Sequence, residues 1–341
     1  MNIKSWTTLY LFAFLSLGTS QTYAQNEVVD AEIQILSTNL ANNGTRGEWG
    51  FAALVRTRVE GQEREHCVLW DTGRYPDTVL QNATSLGVDL SCVQDIVLSH
   101  FHFDHTGGLF RILEHLAADA ESNPVRVTVA EGIFRPRYLN TESPAAAPLY
   151  AMLGTERWNL LERDKKRLES SGAVFVEIDQ ATEVVPGVWA TGPVARTFKE
   201  ENYPKFSVFK QNADSSDVDS VPESQGLVVK APGGPIVLSG CGHAGTVNLV
   251  NHVTRTIQSG PLLALMGGLH LYNASEDTLQ WTGKKLSEVG VKHLMAGHCT
   301  GIMPMFSLQE ALGLDRSRAV IGAVGATFDL EQGINATPIA K

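Results

Sequence analysis

Residues 99–108 read Ser-His-Phe-His-Phe-Asp-His-Thr-Gly-Gly. His100 and His102 are two positions apart, and in an extended segment such residues point to the same side, so both rings can grip one cation. Asp104 and His105 follow where the chain must turn, and that turn can direct them at a second site. Imidazole nitrogen and carboxylate oxygen suit Zn²⁺, and Fe or Mn as well. Two cations close together can share a water, lower its pKa toward neutrality and aim it at a carbonyl or phosphoryl centre. The chemistry to which this cluster points is metal-dependent hydrolysis.

Such a cluster needs a frame. Apolar strand-like runs cover residues 33–37, 51–59, 68–70, 96–98, 125–130, 174–178, 226–229, 236–238, 262–266 and 291–295, with helical spacing over 75–86, 108–120 and 155–170. Strand and helix alternate, which predicts an α/β layered protein. The cluster follows the strand 96–98 directly. The middle of the chain is less regular: residues 141–149 carry Ser-Pro-Ala-Ala-Ala-Pro, and 212–224 read as a polar loop. These read as an insertion at about 131–225 within one domain spanning 25–341, not as a linker between two domains.

The pattern His100-x-His102-x-Asp104-His105 after a strand resembles the signature of the metallo-β-lactamase-fold superfamily, which implies a four-layer αββα sandwich. Asp71, in the strand-end Asp-Thr-Gly at 71–73, matches that superfamily's upstream Asp, implying a group that orients a ligand without binding metal. Cys241 ends a strand in Ser-Gly-Cys and matches a metal-ligand position, and His298, after Met-Ala-Gly, matches the final ligand histidine. Closer is the branch of dihydropterin-ribofuranosylaminobenzene-phosphate synthase-related metallo-hydrolases, which this chain resembles in residues 48–51, 82–90, 240–245, 267–270 and 297–301.

One element of the wider superfamily is missing. Between His105 and Cys241 its Pro-Gly-His turn has only Thr-Gly-Pro-Val-Ala-Arg at 191–196 as a counterpart, without histidine. The first metal would keep His100 and His102 alone, one short of a three-ligand site. His243, two residues after Cys241, is the natural replacement; the bland alternative is a histidine that only bonds a loop. The second metal would take Asp104, Cys241 and His298, with His105 a further ligand or a group positioning water. Asp104 and His105 are thus the residues expected to act in catalysis. A thiolate among the ligands favours zinc, two ions in all. His270 is a substrate contact or an alternative ligand. Glu48 and Arg196 hold an anionic substrate or a water, or form a structural ion pair.

The expected activity is hydrolysis of an ester, lactone, lactam or phosphoester-type small molecule. The alternatives are synthase or transferase chemistry on a pterin-like or phosphorylated substrate, and a metal-loaded binding protein without turnover.

Residues 1–24 read as a secretory signal peptide: Lys4, an apolar run over 6–17, then Thr-Tyr-Ala before Gln25. The run is shorter than the ~20 residues of a spanning helix, so no membrane anchor is expected after cleavage, and a periplasmic or secreted location is. In that setting Cys67 and Cys92 either form a disulfide or stay as buried thiols, and a Cys241–Cys299 disulfide competes with metal ligation by Cys241.

The composition, 43% hydrophobic and 19% charged, is that of a globular protein and excludes disorder or coiled coil. Its net charge of −10, or −11 without Lys4, opposes nucleic-acid binding and leaves a small molecule as the expected partner.

Overall fold

A computed structural model of the protein describes residues 27–118, 124–200, 207–212 and 215–341. The leader expected over 1–24 lies outside the described residues. None of the described helices is long and apolar enough to cross a membrane.

Period-two alternation sets the layers. In Val28–Ser37, Ile33 and Ile35 face one side and Leu36 the other; in Ala52–Val59, Ala53 and Val55 oppose Ala52 and Leu54; in His66–Trp70, Val68 and Trp70 oppose Cys67 and Leu69. Both faces of these strands are apolar, so both must be covered.

The first sheet has eight strands, in spatial order Gly333–Asn335, Thr327–Asp329, Val28–Ser37, Ala52–Val59, His66–Trp70, Val93–Val97, Val125–Ala130 and Ala173–Ile178. The second has seven: Ala319–Ile321, Leu294–Gly297, Ala264–Gly268, Gly234–Ser239, Gly226–Ala231, Val188–Ala190 and Thr182–Val185. Between the sheets, Ile33, Val55, Val68 and Trp70 pack with Leu227, Leu238, Met266 and Met295. The outer face of the first sheet is covered by the helices Thr78–Leu86, Leu109–Ala117 and Leu160–Ser170. Thr246–Thr256, Glu276–Val289 and Ile302–Leu312 cover the second. The fold is therefore the αββα sandwich that the sequence resemblance implies.

Parallel pairing gathers the chemistry. His66–Trp70, Val93–Val97 and Val125–Ala130 run parallel in one sheet, and Gly234–Ser239, Ala264–Gly268 and Leu294–Gly297 do so in the other. Segments that leave parallel strands leave from one edge, which is how residues 71, 99–105, 241–243, 270 and 298 reach a common rim.

At the opposite end of that sheet Cys67 and Cys92 form a disulfide, with Cα atoms 5.7 Å apart. The parallel register, Cys67 opposite Val93, puts both cysteines at one end of neighbouring strands. The sequence allows either a disulfide or two buried thiols here, and the structure has the disulfide.

Part of the irregular middle is woven into the sandwich: Ala173–Ile178 extends the first sheet, and Thr182–Val185 with Val188–Ala190 completes the second. Arg137–Leu139, Ser207–Asn212 and Ser215–Val218 make a separate three-stranded sheet. Residues 215–218 lie in the stretch expected to be loop, and they pair antiparallel with Ser207–Asn212. Backbone pairing needs no apolar alternation, so that strand left no signal. The helix expected from 155 begins at Leu160, because the Asn159 side chain accepts a hydrogen bond from Glu162 N and caps it there.

Candidate metal centre

Asp71 anchors the site. It sits at φ 56° beyond its strand, fully buried. Its Oδ1 accepts from Ser99 N at 2.7 Å, and its Oδ2 accepts from Ser99 Oγ at 2.8 Å and faces His105 Nδ1 at 2.7 Å. A proton on Nδ1 leaves the Nε2 lone pair free to bind a cation. Gly240 makes this approach possible: a Cβ there would collide with Ser99 Oγ and come within 2.8 Å of Asp71 Oδ2.

Two sets of donors converge beyond this anchor. In the first, His100 Nε2 lies 2.9 Å from His102 Nδ1 and 3.2 Å from His243 Nε2. In the second, His105 Nε2 is 3.0 Å from Cys241 Sγ and 3.2 Å from His298 Nε2, and Cys241 Sγ is 3.2 Å from His298 Nε2. Asp104 Oδ2 closes that set, 3.5 Å from His298 Nε2 and 3.8 Å from His105 Nε2. All seven side chains are buried. A third grouping, Cys241, His243 and His270, bridges the two.

Electron-pair donors this close repel one another unless a cation or shared protons lie between them. Burial holds His100, His102 and His243 well below the ordinary imidazole pKa, and neighbouring histidines push the same way. Three imidazoles held neutral, with ring nitrogens converging at 2.9–3.2 Å, are a donor set that fits a metal ion. His105 differs. Burial lowers its pKa, but the Asp71 and Asp104 carboxylates outweigh that and raise it to about 9. Burial pushes the Cys241 thiol well up, with Cys299, Asp104 and Asp71 adding to the effect; only a bound cation would turn it into a thiolate.

Every residue singled out for metal binding in the sequence is present in these groupings: His100, His102 and His243 in one, Asp104, His105, Cys241 and His298 in the other, His270 in the bridging one. Cys299 is a free thiol beside Cys241, so the competing Cys241–Cys299 disulfide is not formed.

Two expectations about substrate contacts change. The Glu48 carboxylate accepts from Ser37 Oγ, Arg74 N and Tyr75 N at 2.6, 2.8 and 3.0 Å. It is buried, and it pins the backbone after Asp71 instead of facing a substrate. Arg196 donates from Nη1 to His243 O at 2.9 Å and from Nη2 to Ser220 O; it positions the His243 segment.

A further support is the ion cluster of Arg137 with Asp219, at 3.2 Å, and Glu223, all fully buried. The Arg137 guanidinium lies 4.3 Å from the centre of the Phe101 ring, between His100 and His102. Next to it, Gln225 ties its own loop to the metal loop, N to Ser99 O at 3.0 Å and Nε2 to Leu98 O at 2.8 Å. Sequence spacing gave no hint of this cluster, because its members come from separate segments.

The sequence model of the metallo-beta-lactamase superfamily matches residues 52–193. A Methanocaldococcus jannaschii protein named 7,8-dihydropterin-6-methyl-4-(beta-D-ribofuranosyl)-aminobenzene-5'-phosphate synthase is 27% identical over 277 residues, 81% of this chain and 88% of its own length. Among solved structures, Tm1679, a metal-dependent hydrolase of the beta-lactamase superfamily, superposes with a TM-score of 0.64 at 24% identity, covering 89% of this chain and 99% of its own. Zn(2+)-bound PqqB from Methylobacterium extorquens does so at 0.50 and 13% identity, covering 88% and 100%. These two structural likenesses concern the fold.

Proposed function

We propose, from the match of the metallo-beta-lactamase superfamily model to residues 52–193 and from the 27% identical relative, that the chain is a member of that superfamily and a secreted hydrolase that uses two metal ions, zinc foremost, on an ester, lactone, lactam or phosphoester-type small molecule. The observation that carries this reading is the pair of buried donor sets, each with contacts of 2.9–3.2 Å, that meet at one rim. His100, His102 and His243 would hold one ion, and Asp104, His105, Cys241 and His298 the other. Two divalent cations there would supply the polarisation that makes water nucleophilic near neutral pH and would offset charge developing on the substrate.

The chain's own residues do the rest. Asp71 fixes the tautomer and direction of His105, and Ser99 Oγ, 2.8 Å from His100 Nδ1, does the same for His100. The His105 ring lies 4.4 Å from the His100 ring, where the second donor set faces the first, and the Asp104 carboxylate at the edge of that set would orient the attacking water. Arg196 keeps His243 in place through its carbonyl. The Cys67–Cys92 disulfide supports an oxidising location, in line with a leader at 1–24.

The synthase name of the 27% relative supports a second reading, in which a nucleophile other than water attacks the same activated centre. The leader proposed for 1–24 would argue against it, since phosphorylated pterins are scarce outside the cytosol. The two are separated by metal analysis of the purified protein together with a panel of chromogenic esters, lactones, β-lactams and phosphodiesters. We expect two metal equivalents, turnover on one ester-like class, and loss of turnover on chelation. Absence of bound metal after growth in metal-supplemented medium would refute the reading.

A further inference from the structure

Large aromatic rings left open to water need a reason. Trp70 and Trp158 are buried, whereas Trp49 is 42% exposed and Tyr272 is 40% exposed. The two exposed rings touch each other edge to face, with centroids 5.6 Å apart at 85°. Trp49 also lies 5.4 Å from the His298 ring, and Tyr272 lies 5.4 Å from the His270 ring, which is 4.7 Å from His243. The pair therefore leans on the second donor set through His298 and on the bridging grouping through His270.

Neither ring is held by its own burial. Trp49 is carried on a segment whose backbone is fixed by Glu48 N to Thr38 O and Phe51 N to Asp104 O. The buried Glu48 carboxylate pins that segment to Arg74 and Tyr75. Tyr272 is fixed by Leu271 N and Tyr272 N, both donating to Cys299 O. Gly301, at φ 84°, closes against it: a Cβ there would stand 3.0 Å from Tyr272 Cα. The next two residues, Ile302 and Met303, are exposed as well and prolong the apolar rim. Rigidly mounted Trp and Tyr side chains give contact area at small entropic cost.

We propose that Trp49 and Tyr272 form a subsite for a planar aromatic group of the substrate, beside the bond that the metal centre cleaves. For the cleaved bond this rests on the hydrolase reading above; the subsite itself does not. An edge-to-face pair leaves ring faces open for a third ring, and aromatic partners gain more from such faces than saturated ones of equal area. A saturated apolar group, or a second copy of the chain, would use the same rim without that preference.

The test is calorimetric binding of 2-naphthoate and of its decahydro counterpart to the metal-reconstituted protein. The aromatic acid should bind about fivefold tighter. Trp49→Ala and Tyr272→Ala should each bring the two acids to within about twofold, with metal content and thermal stability unchanged, while Trp49→Phe should keep most of the preference. Equal binding of the two acids, binding of neither, or a preference that survives both alanine variants would overturn the proposal, as would loss of a dimer on Trp49→Ala as the sole effect. Naphthoate preference without hydrolysis of any ester refutes the hydrolase reading and leaves the subsite standing; hydrolysis without aromatic preference does the reverse.

Discussion

The Sγ atoms of Cys241 and Cys299 lie 3.3 Å apart, both buried and both thiols. Cys241 stands inside the second donor set, and Cys299 donates to it from the adjoining turn. That arrangement suits a thiolate ligand steadied by a neighbouring S–H. In Co²⁺-reconstituted protein, Cys241→Ser should abolish the sulfur-to-metal charge-transfer band in the near ultraviolet and weaken the second ion. Cys299→Ser should keep the band. A bandless spectrum with cobalt at both sites would reject thiolate ligation.

The same pair should respond to oxidation according to metal load. With the metal removed, diamide should take two electrons from the pair and join Cys241 to Cys299; with the metal in place, Cys241 is engaged and the pair should survive. Thiol counting on unfolded, unreduced protein reads the difference. Equal losses in the two states would show that no ion shields Cys241.

His243 and His252 lie on opposite sides of a useful comparison. Both are close to the helix Thr246–Thr256, but only His243 faces His100, at 3.2 Å, whereas His252 Nδ1 accepts from Ala195 N at 3.4 Å on the outside. His243→Ala should lose the first-site metal, and His252→Ala should match the parent. Elemental analysis of the pair decides, and equal metal content removes His243 from the ligand set.

How far the sequence reached depends on how local each signal is. His100, His102, Asp104 and His105 occupy one short run, so their convergence could be read from spacing after a strand. Cys241 and His298 were legible only through family order, since nothing local distinguishes them from a buried cysteine and a loop histidine. Trp49 lay in a block noticed for its resemblance, yet the sequence drew attention to Glu48, whose carboxylate turns inward to bond Ser37 and the Arg74 backbone. Tyr272 had no signal. Its placement follows from hydrogen bonds to Cys299 O that join the segments after the strands Ala264–Gly268 and Leu294–Gly297. The C-terminal strands Thr327–Asp329 and Gly333–Asn335 were missed for a related reason: they are three residues long and are specified by pairing, not by pattern.

Asp71 offers a test of positioning. Asp71→Asn keeps the shape but weakens the acceptor that holds His105 Nδ1 at 2.7 Å. Metal affinity at the second site should fall by about 10–100-fold, with the first site much less affected. Competition with a chelator of known affinity measures both. An unchanged second-site affinity would mean that His105 is oriented without Asp71.

The last prediction concerns Glu223. Burial pushes its carboxyl up to about 7, against the attraction of Arg137 and with the Asp219 charge adding to the rise. In the unfolded chain it returns to the ordinary carboxylate range, near 4.5. Between those values the folded state binds the proton and the unfolded state does not, so raising the pH favours unfolding. The stabilising contribution of the protonated form is full below about pH 4.5 and is lost as pH rises through about 7, an effect on the order of 3 kcal/mol at 1.36 kcal/mol per unit. Glu223→Gln cannot titrate, so the variant's unfolding free energy should lack this component. The difference between parent and variant in urea midpoint, followed from pH 5 to pH 8, should therefore shift against the parent up to about pH 7 and level off above it. The other titratable groups are the same in both proteins and cancel in the difference. A difference that stays flat across that range would show that Glu223 is ionised in the fold throughout, with Arg137 rather than burial in control.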